Sequence, residues 1–216
     1  MYLSRIVLDT KLRVTMAALA SPNRMHGAVE SCFQGEKQRN LWRIDWLSGQ
    51  CYLLIASAQR PDMAGRATQF GSQMAGESKA YDPLLAKVKD GQGWHFRLCA
   101  NPVHSATGEQ QSGGARGKVY AHVTQLQQKQ WLMDRAEKHG FALDPDGFEV
   151  VHSQWLRFRK GREPTHEVSL LRVTFEGLLR VIDAERFKET LITGIGREKA
   201  YGCGLLTITS SGGTNA

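Results

Sequence analysis

Twice along this chain the apolar residues change their period in the same order: strand, helix, strand, strand, helix, strand. A chain that repeats this order has a sheet face to bury twice, and two packed layered units satisfy that requirement. In the first round Leu3 to Leu8 alternates as a strand. Ser21-Pro22 then marks a helix start, with serine as N-cap and proline at the first helical position. The spacing predicts a helix from Pro22 to Cys32, after a short helical turn at Val14–Ala20. Arg39–Trp46 and Cys51–Ala58 read as strands around a Leu47-Ser48-Gly49-Gln50 turn. Gly71–Ala80 is small and polar and reads as a loop. Pro83–Lys89 reads as a short helix, and Trp94–Ala100 as a strand that Asn101-Pro102 ends.

The Gly-rich stretch Glu109–Gly117 (EQQSGGARG) is the linker candidate. The second round follows it. Lys118–Val123 is short and β-prone, and Leu126–His139 carries Leu126, Trp131, Leu132 and Ala136 near helical spacing. Phe148–Phe158 and Val168–Val181 are long strands, Asp183 caps a helix to about Ile192, and Leu205–Thr209 is the last strand. The expected units are residues 1–104 and 118–216, joined by 105–117. Two βαββαβ units in tandem make an α+β protein of two ferredoxin-like domains, a fold that serves many functions and dictates none.

The formal net charge of +7 suits a phosphate-rich partner, and it also suits a merely soluble basic protein. The four cysteines, Cys32, Cys51, Cys99 and Cys203, include no CxxC pair, so zinc-ribbon and dithiol redox spacings are excluded. They lie in apolar stretches, as small core residues do, and a reducing, cytoplasmic setting is expected. No apolar run approaches the roughly 18 residues of a membrane span, and MYLSRIVLD reads as a strand, not a signal peptide. No two histidines have metal-ligand spacing on one helix, so neither metal nor other cofactor is expected.

Near the C-terminus stands GIGREKAYGCGLL, residues 194–206. A dinucleotide fingerprint would need a glycine where Lys199 stands, and a Walker loop would need four residues between its glycines followed by Lys and Ser or Thr. Both nucleotide motifs fail. Two readings stand. Gly194, Gly196 and Gly202 let a phosphate backbone come close while Arg197 and Lys199 supply charge, or the loop is a turn-rich connection packed against the neighbouring unit. The densest basic cluster is WLRFRKGRE, with Arg157, Arg159, Lys160 and Arg162 around a Gly161 turn. Alternation puts Arg157 and Arg159 on one face of a strand and Leu156 and Phe158 on the other. Such a hairpin suits the phosphates of an RNA stem; it also suits a charged edge that resists strand pairing. Arg116 and Lys118 beside the linker form a smaller patch of the same kind.

The segments MYLSRIVLD, FRLCANPV (96–103), VTFEG (173–177) and GIGREKAYGCGLL together resemble the CasE endoribonucleases, the crRNA-processing subunits of type I-E CRISPR systems. The resemblance runs from residue 1 to about 209. It implies two RAMP-type ferredoxin-like domains and metal-independent cutting of a CRISPR repeat hairpin by attack of a ribose 2′-hydroxyl. It also implies a crRNA product with a 2′,3′-cyclic phosphate, retained within Cascade beside other Cascade subunits, and a monomer outside that complex. The family's catalytic histidine lies on the first helix and precedes a glycine, as His26 precedes Gly27. The tyrosine that relatives carry one turn earlier is Asn23 here, an amide that can donate to a phosphate oxygen but cannot act as a phenolic acid. Arg24 is a further candidate for charge stabilisation. The alternative within this resemblance is a catalytically silent subunit that binds the RNA hairpin. A small-molecule enzyme with a phosphate loop is disfavoured by the basic hairpin and the failed nucleotide motifs.

Overall fold

The structure, a computed structural model, describes residues 1–35, 38–63, 76–105, 118–159 and 167–210. The first sheet is antiparallel and holds β1 (Tyr2–Leu8), β2 (Leu41–Leu47), β3 (Gln50–Ser57) and β4 (Glu77–Ala80) in the order β2-β3-β1-β4. Alternation in β1 and β3 sends Ile6, Leu8, Cys51, Leu53 and Ile55 to one face. There α1 (Arg13–Leu19) and α2 (Pro22–Glu30) cover them with Ala18, Met25, Ala28 and Val29. The other face offers Leu3, Leu41, Leu54 and Ala56, which pack on Leu205 from the far end of the chain.

After a four-residue helix, α3 (Asp82–Leu85), the second sheet is built from β5 (Gly93–Ala100), β8 (Phe141–Arg159), β9 (Glu167–Val181) and β10 (Leu206–Ser210). Its order is β10-β5-β9-β8. Counted within its own unit, each sheet therefore has the order 4-1-3-2, the ferredoxin-like arrangement. The helices α4 (Gln125–Ala136) and α5 (Ala184–Thr193) lie on one face over a core that includes Trp131, Leu132, Phe148, Phe175 and Phe187. Both have firm starts. Thr124 and Gln127 make a reciprocal capping box before α4, and the Asp183 carboxylate accepts from Arg186 N before α5. Between β5 and α4 the strands β6 (Val103–Ser105) and β7 (Val119–Ala121) form a two-stranded ribbon. Among the described residues no helix is long and apolar enough to cross a membrane.

Three expected assignments change. The strand expected to close the first unit, Trp94–Ala100, pairs between β9 and β10 in the second sheet. Its Trp94, Phe96, Leu98 and Ala100 face the helices while Cys99 is buried on the other side. The segment Lys118–Val123, expected to open the second unit, supplies instead the ribbon strand β7. The first sheet is closed by Glu77-Ser78-Lys79-Ala80, inside a stretch read as loop. That strand is short and polar, as an edge tolerates, and is held by Ser4–Ser78 at 2.8 Å and Arg5–Glu77 at 3.0 Å. Sheet membership thus changes hands between Ala80 and Gly93, ahead of the expected 105–117 linker, of which 106–117 lies outside the described residues.

The two sheets are joined through Arg43 of β2, which is 2% exposed. Its Nε and one terminal nitrogen donate to Asp45 at 2.8 and 2.7 Å. The other terminal nitrogen donates to the carbonyls of Arg97 on β5 and Leu205, at 2.8 and 2.9 Å. A fifth bond reaches Thr207 Oγ1 on β10 at 2.8 Å. Asp45 also draws Arg97 Nε to 3.2 Å, and Arg97 pairs in turn with Glu176.

Removing one partner of a buried ion pair costs about 3–5 kcal/mol, because the other charge is left without compensation. The variant Arg43→Ala is therefore expected to lower the thermal midpoint by at least about 6 °C, taking roughly 2–4 °C per kcal/mol for a chain of this size. A melt followed by circular dichroism checks it.

Candidate functional site

Helix α2 starts as expected, with Pro22 in its first turn and Ser21 extended at the N-cap, although the serine hydroxyl makes no capping bond. Pro22, Met25, Ala28 and Val29 are buried beneath it. That leaves His26 and Glu30, one turn apart, on the wall of a cleft of about 700 Å³. The opposite wall is the glycine loop, Gly196 to Tyr201, and Arg39 stands at the approach to β2. A helix of the first unit and a loop of the second meet here. His26 is half-buried, and its Nδ1 is enclosed without a hydrogen-bond partner among the described residues.

The loop is held from several sides. Gly194 ends α5 at φ +74° and donates to Thr190 O at 2.8 Å. Ile195 N and Gly204 O close the loop at 3.0 Å, and Gly204 N donates to Cys99 O of β5 at 2.6 Å. Lys199 Nζ donates to the carbonyls of Thr193 and Gly194 at 2.6 and 3.0 Å, so a cation satisfies the exposed end of the helix. Burial, followed by the positive charge of Arg39, pulls the Lys199 pKa below its ordinary value. The 3₁₀ turn Lys199–Tyr201 then sets the Tyr201 ring edge-on to Phe158, at 4.8 Å between centroids.

Phe158 belongs to the basic hairpin, and a bulge aims it. Between Val150 and His152 the register of β8 against β9 shifts by one residue. Beyond the shift, Phe158 and Leu156 turn toward Tyr201 and Cys203, while Arg157 and Arg159 fall on the opposite, exposed face across from Ser169 and Glu167. The alternation expected for this strand is therefore present.

Of the remaining candidates, Gly196, Arg197 and Lys199 line the cleft with His26. Gly194 and Gly202 do not; both are buried. A Cβ on Gly194 would lie 2.6 Å from Gly204 O, and one on Gly202 would lie 2.7 Å from the Trp42 ring of β2. These two glycines serve protein packing, the second of the two readings of the loop. Asn23 is half-buried and Arg24 exposed, one turn before His26, and neither lines the cleft. Lys118 is exposed beside the ribbon, away from the cleft. Arg116, Lys160 and Arg162 lie outside the described residues.

Two residues were not singled out by pattern. Arg39 counted only as the first residue of a strand, and Tyr201 as part of the loop. No local signal marks either, because Arg39 meets His26 only through the folding of the first unit and Tyr201 only through the docking of the second. His104 of β6 and His122, which follows β7, have ring centroids 4.8 Å apart. Among the described residues, no three His, Cys, Asp or Glu side chains gather as metal ligands would.

A family model described as "CRISPR associated protein" matches residues 1–210. The CRISPR-associated endoribonuclease Cse3 of Thermus thermophilus is 31% identical over 221 residues, covering 96% of this chain and 99% of its own. The CRISPR system Cascade subunit CasE of Escherichia coli is 24% identical over 218 residues, covering 96% and 98%. A solved structure of CRISPR endoribonuclease Cse3 bound to a 19-nucleotide RNA superposes with a TM-score of 0.79 at 28% identity, covering 97% of this chain and all of that one.

Gly202 has φ +81°, a conformation that costs a residue bearing a Cβ roughly 1–2 kcal/mol, and Trp42 occupies the space that Cβ would need. Gly91 has φ +79° with open space around it. Gly202→Ala is therefore expected to destabilise the protein more than Gly91→Ala, as read from the two denaturant midpoints.

Proposed function

This chain belongs to the CRISPR-associated protein family, and from that premise we propose that it is a metal-independent endoribonuclease acting on CRISPR repeat hairpins in precursor crRNA. It keeps the crRNA it makes; it also serves as a subunit of Cascade, a place that the name of its Escherichia coli relative gives to that protein. The reading sets it in the cytoplasm, with its transcripts. The observation that carries it is the meeting of His26 with Arg197 and Arg39 in one cleft large enough for a nucleotide linkage.

The nucleophile comes from the substrate. The 2′-oxygen beside the scissile phosphate forms a bond to phosphorus and loses its proton, the bond from phosphorus to the 5′-oxygen breaks, and that oxygen gains a proton. The products are a 2′,3′-cyclic phosphate and a 5′-hydroxyl, and no water is consumed. The protein must align the 2′-oxygen with the leaving oxygen, move protons and stabilise charge on the phosphorane. Imidazole is the side chain whose ordinary titration range suits the proton transfer, and His26 is the histidine on the cleft wall. Positioned acid–base catalysis of this sort is worth about 10² to 10⁴ in rate.

Gly196, Arg197 and Lys199 form the wall that meets the RNA backbone. Gly194 and Gly202 act behind it by letting the loop pack against the first unit. Arg157 and Arg159 grip the phosphates of the stem, with Lys160 and Arg162 continuing the hairpin and Arg116 and Lys118 widening the basic surface. Asn23 holds a positioning place one turn before His26, with Arg24 beside it. Shape and phosphate contacts dominate, because the major groove of a regular A-form stem is too deep and narrow for side chains to read.

The test is incubation with the repeat hairpin RNA of the accompanying CRISPR locus, in EDTA, followed by end-group analysis. A product ending in cyclic phosphate is expected. Tight binding with no cutting would instead favour the silent RNA-binding subunit, with Asn23 in the tyrosine position as its cause. His26→Ala is expected to abolish cutting and leave affinity within a few-fold; joint loss of both would give His26 a structural role. Arg157→Ala with Arg159→Ala is expected to do the reverse. Affinity falls, and the slope of log affinity against log salt flattens by about one for each phosphate no longer neutralised. An unchanged slope would take the hairpin off the RNA surface.

A further inference from the structure

The cleft contains a cation that the roles above leave unused. Arg39 stands two residues before Leu41, the first residue of β2, with buried Asn40 between them. It is thus held against the end of a rigid element, while its own side chain is exposed on the cleft wall. It makes no hydrogen bond or ion pair with a described residue. Its charge reaches the ammonium of Lys199, which is itself fixed on the carbonyls of Thr193 and Gly194. Glu30 and Glu198 line the same cleft, yet neither forms an ion pair with Arg39, Arg197 or Lys199 among the described residues. Cationic groups that face a common space and are not held in ion pairs there repel one another, and an anion entering that space relieves the repulsion.

The candidates for charge stabilisation can be sorted by position. Lys199 has donors committed to the end of α5. Arg24 and Asn23 are off the cleft wall, and an amide carries no charge. Arg197 sits on the loop beside Lys199, on the wall facing α2. Arg39 rises from the approach to β2, where a phosphate beside His26 would be flanked by the loop on one side and this guanidinium on the other. A planar fork of N–H donors matches two non-bridging phosphate oxygens, which a lone ammonium cannot do.

We infer that Arg39 is a catalytic residue: its guanidinium donates to the non-bridging oxygens of the scissile phosphate and stabilises the pentacoordinate phosphorane while His26 moves the proton. The inference rests on the cleft being a ribonuclease site. Negative charge on the non-bridging oxygens rises as the phosphorane forms, so the contact strengthens in the transition state, and its removal slows the chemical step more than it weakens binding.

The experiment compares wild type, Arg39→Ala, Arg39→Lys and Arg197→Ala on the locus's own repeat hairpin RNA. Single-turnover rates are measured at saturating protein, and affinities are measured on the same RNA with a 2′-deoxy nucleotide at the scissile position. For R39A the rate is expected to fall about 10²- to 10³-fold, the usual loss on removing one preorganised donor, with affinity within about three-fold. R39K is expected to recover part of the rate, since charge returns without the fork. R197A is expected to lose more affinity than rate. Sulfur in place of a non-bridging oxygen should slow the wild type and leave R39A indifferent, a signature that a merely structural arginine would not produce. An R39A rate within three-fold of wild type overturns the inference, and so does a loss seen only in affinity, or a sulfur effect equal in both proteins. A wild type that binds the RNA and never cuts it removes the ribonuclease reading and Arg39's role together. A cutting wild type beside an unimpaired R39A removes only the role of Arg39.

Discussion

The docking of the two units depends on one guanidinium. All five N–H donors of Arg43 are used: two on Asp45 of its own strand and three on Arg97, Leu205 and Thr207 of the second sheet and the residue before it. A charge this deeply enclosed is stable only when each donor is met, so the contact is specific as well as adhesive. It sets which residues of β5 and β10 oppose β2. Because the loop from Gly194 to Leu205 runs directly into β10, it also sets where that loop stands relative to helix α2.

The cleft follows from that docking. Trp42 lies one residue before Arg43 on β2 and receives Gly202, so the clamp and the loop contact are neighbours in sequence and in space. Tyr201, next to Gly202, carries the same rigidity outward to Phe158 and the basic hairpin. One continuous set of packed groups therefore ties the helix bearing His26, the cationic loop and the strand bearing Arg157 and Arg159 to a common frame. Chemistry that depends on alignment of oxygen, phosphorus and oxygen needs a frame of this kind, since misplacement by about an ångström costs rate steeply.

Much of this was legible from residue order and some was not, for identifiable reasons. The strands with strong alternation, β1, β3, β8 and β9, and the helices with start signals at Pro22 and Asp183 were readable because the cause is local. The opposite faces of Arg157 and Phe158 were readable for the same reason. Which sheet a strand joins is not a local property. The run Trp94–Ala100 looks the same whether it closes one sheet or sits at the centre of the next, and the polar strand Glu77–Ala80 carries no apolar pattern at all. His26 was singled out through family resemblance and its place on a helix. Arg39 was not singled out, because nothing around it in the chain says that Lys199 and His26 will arrive beside it. The loop glycines were noticed for their number, yet what Gly194 and Gly202 do is visible only once Gly204 and Trp42 are in place.

The cleft draws its walls from widely separated parts of the polypeptide: His26 and Arg39 are translated early, and Gly196 to Tyr201 long after them. A nascent chain still short of the loop has the histidine and nothing to face it. If the cleft works as proposed, cutting power arrives only after the loop has been synthesised.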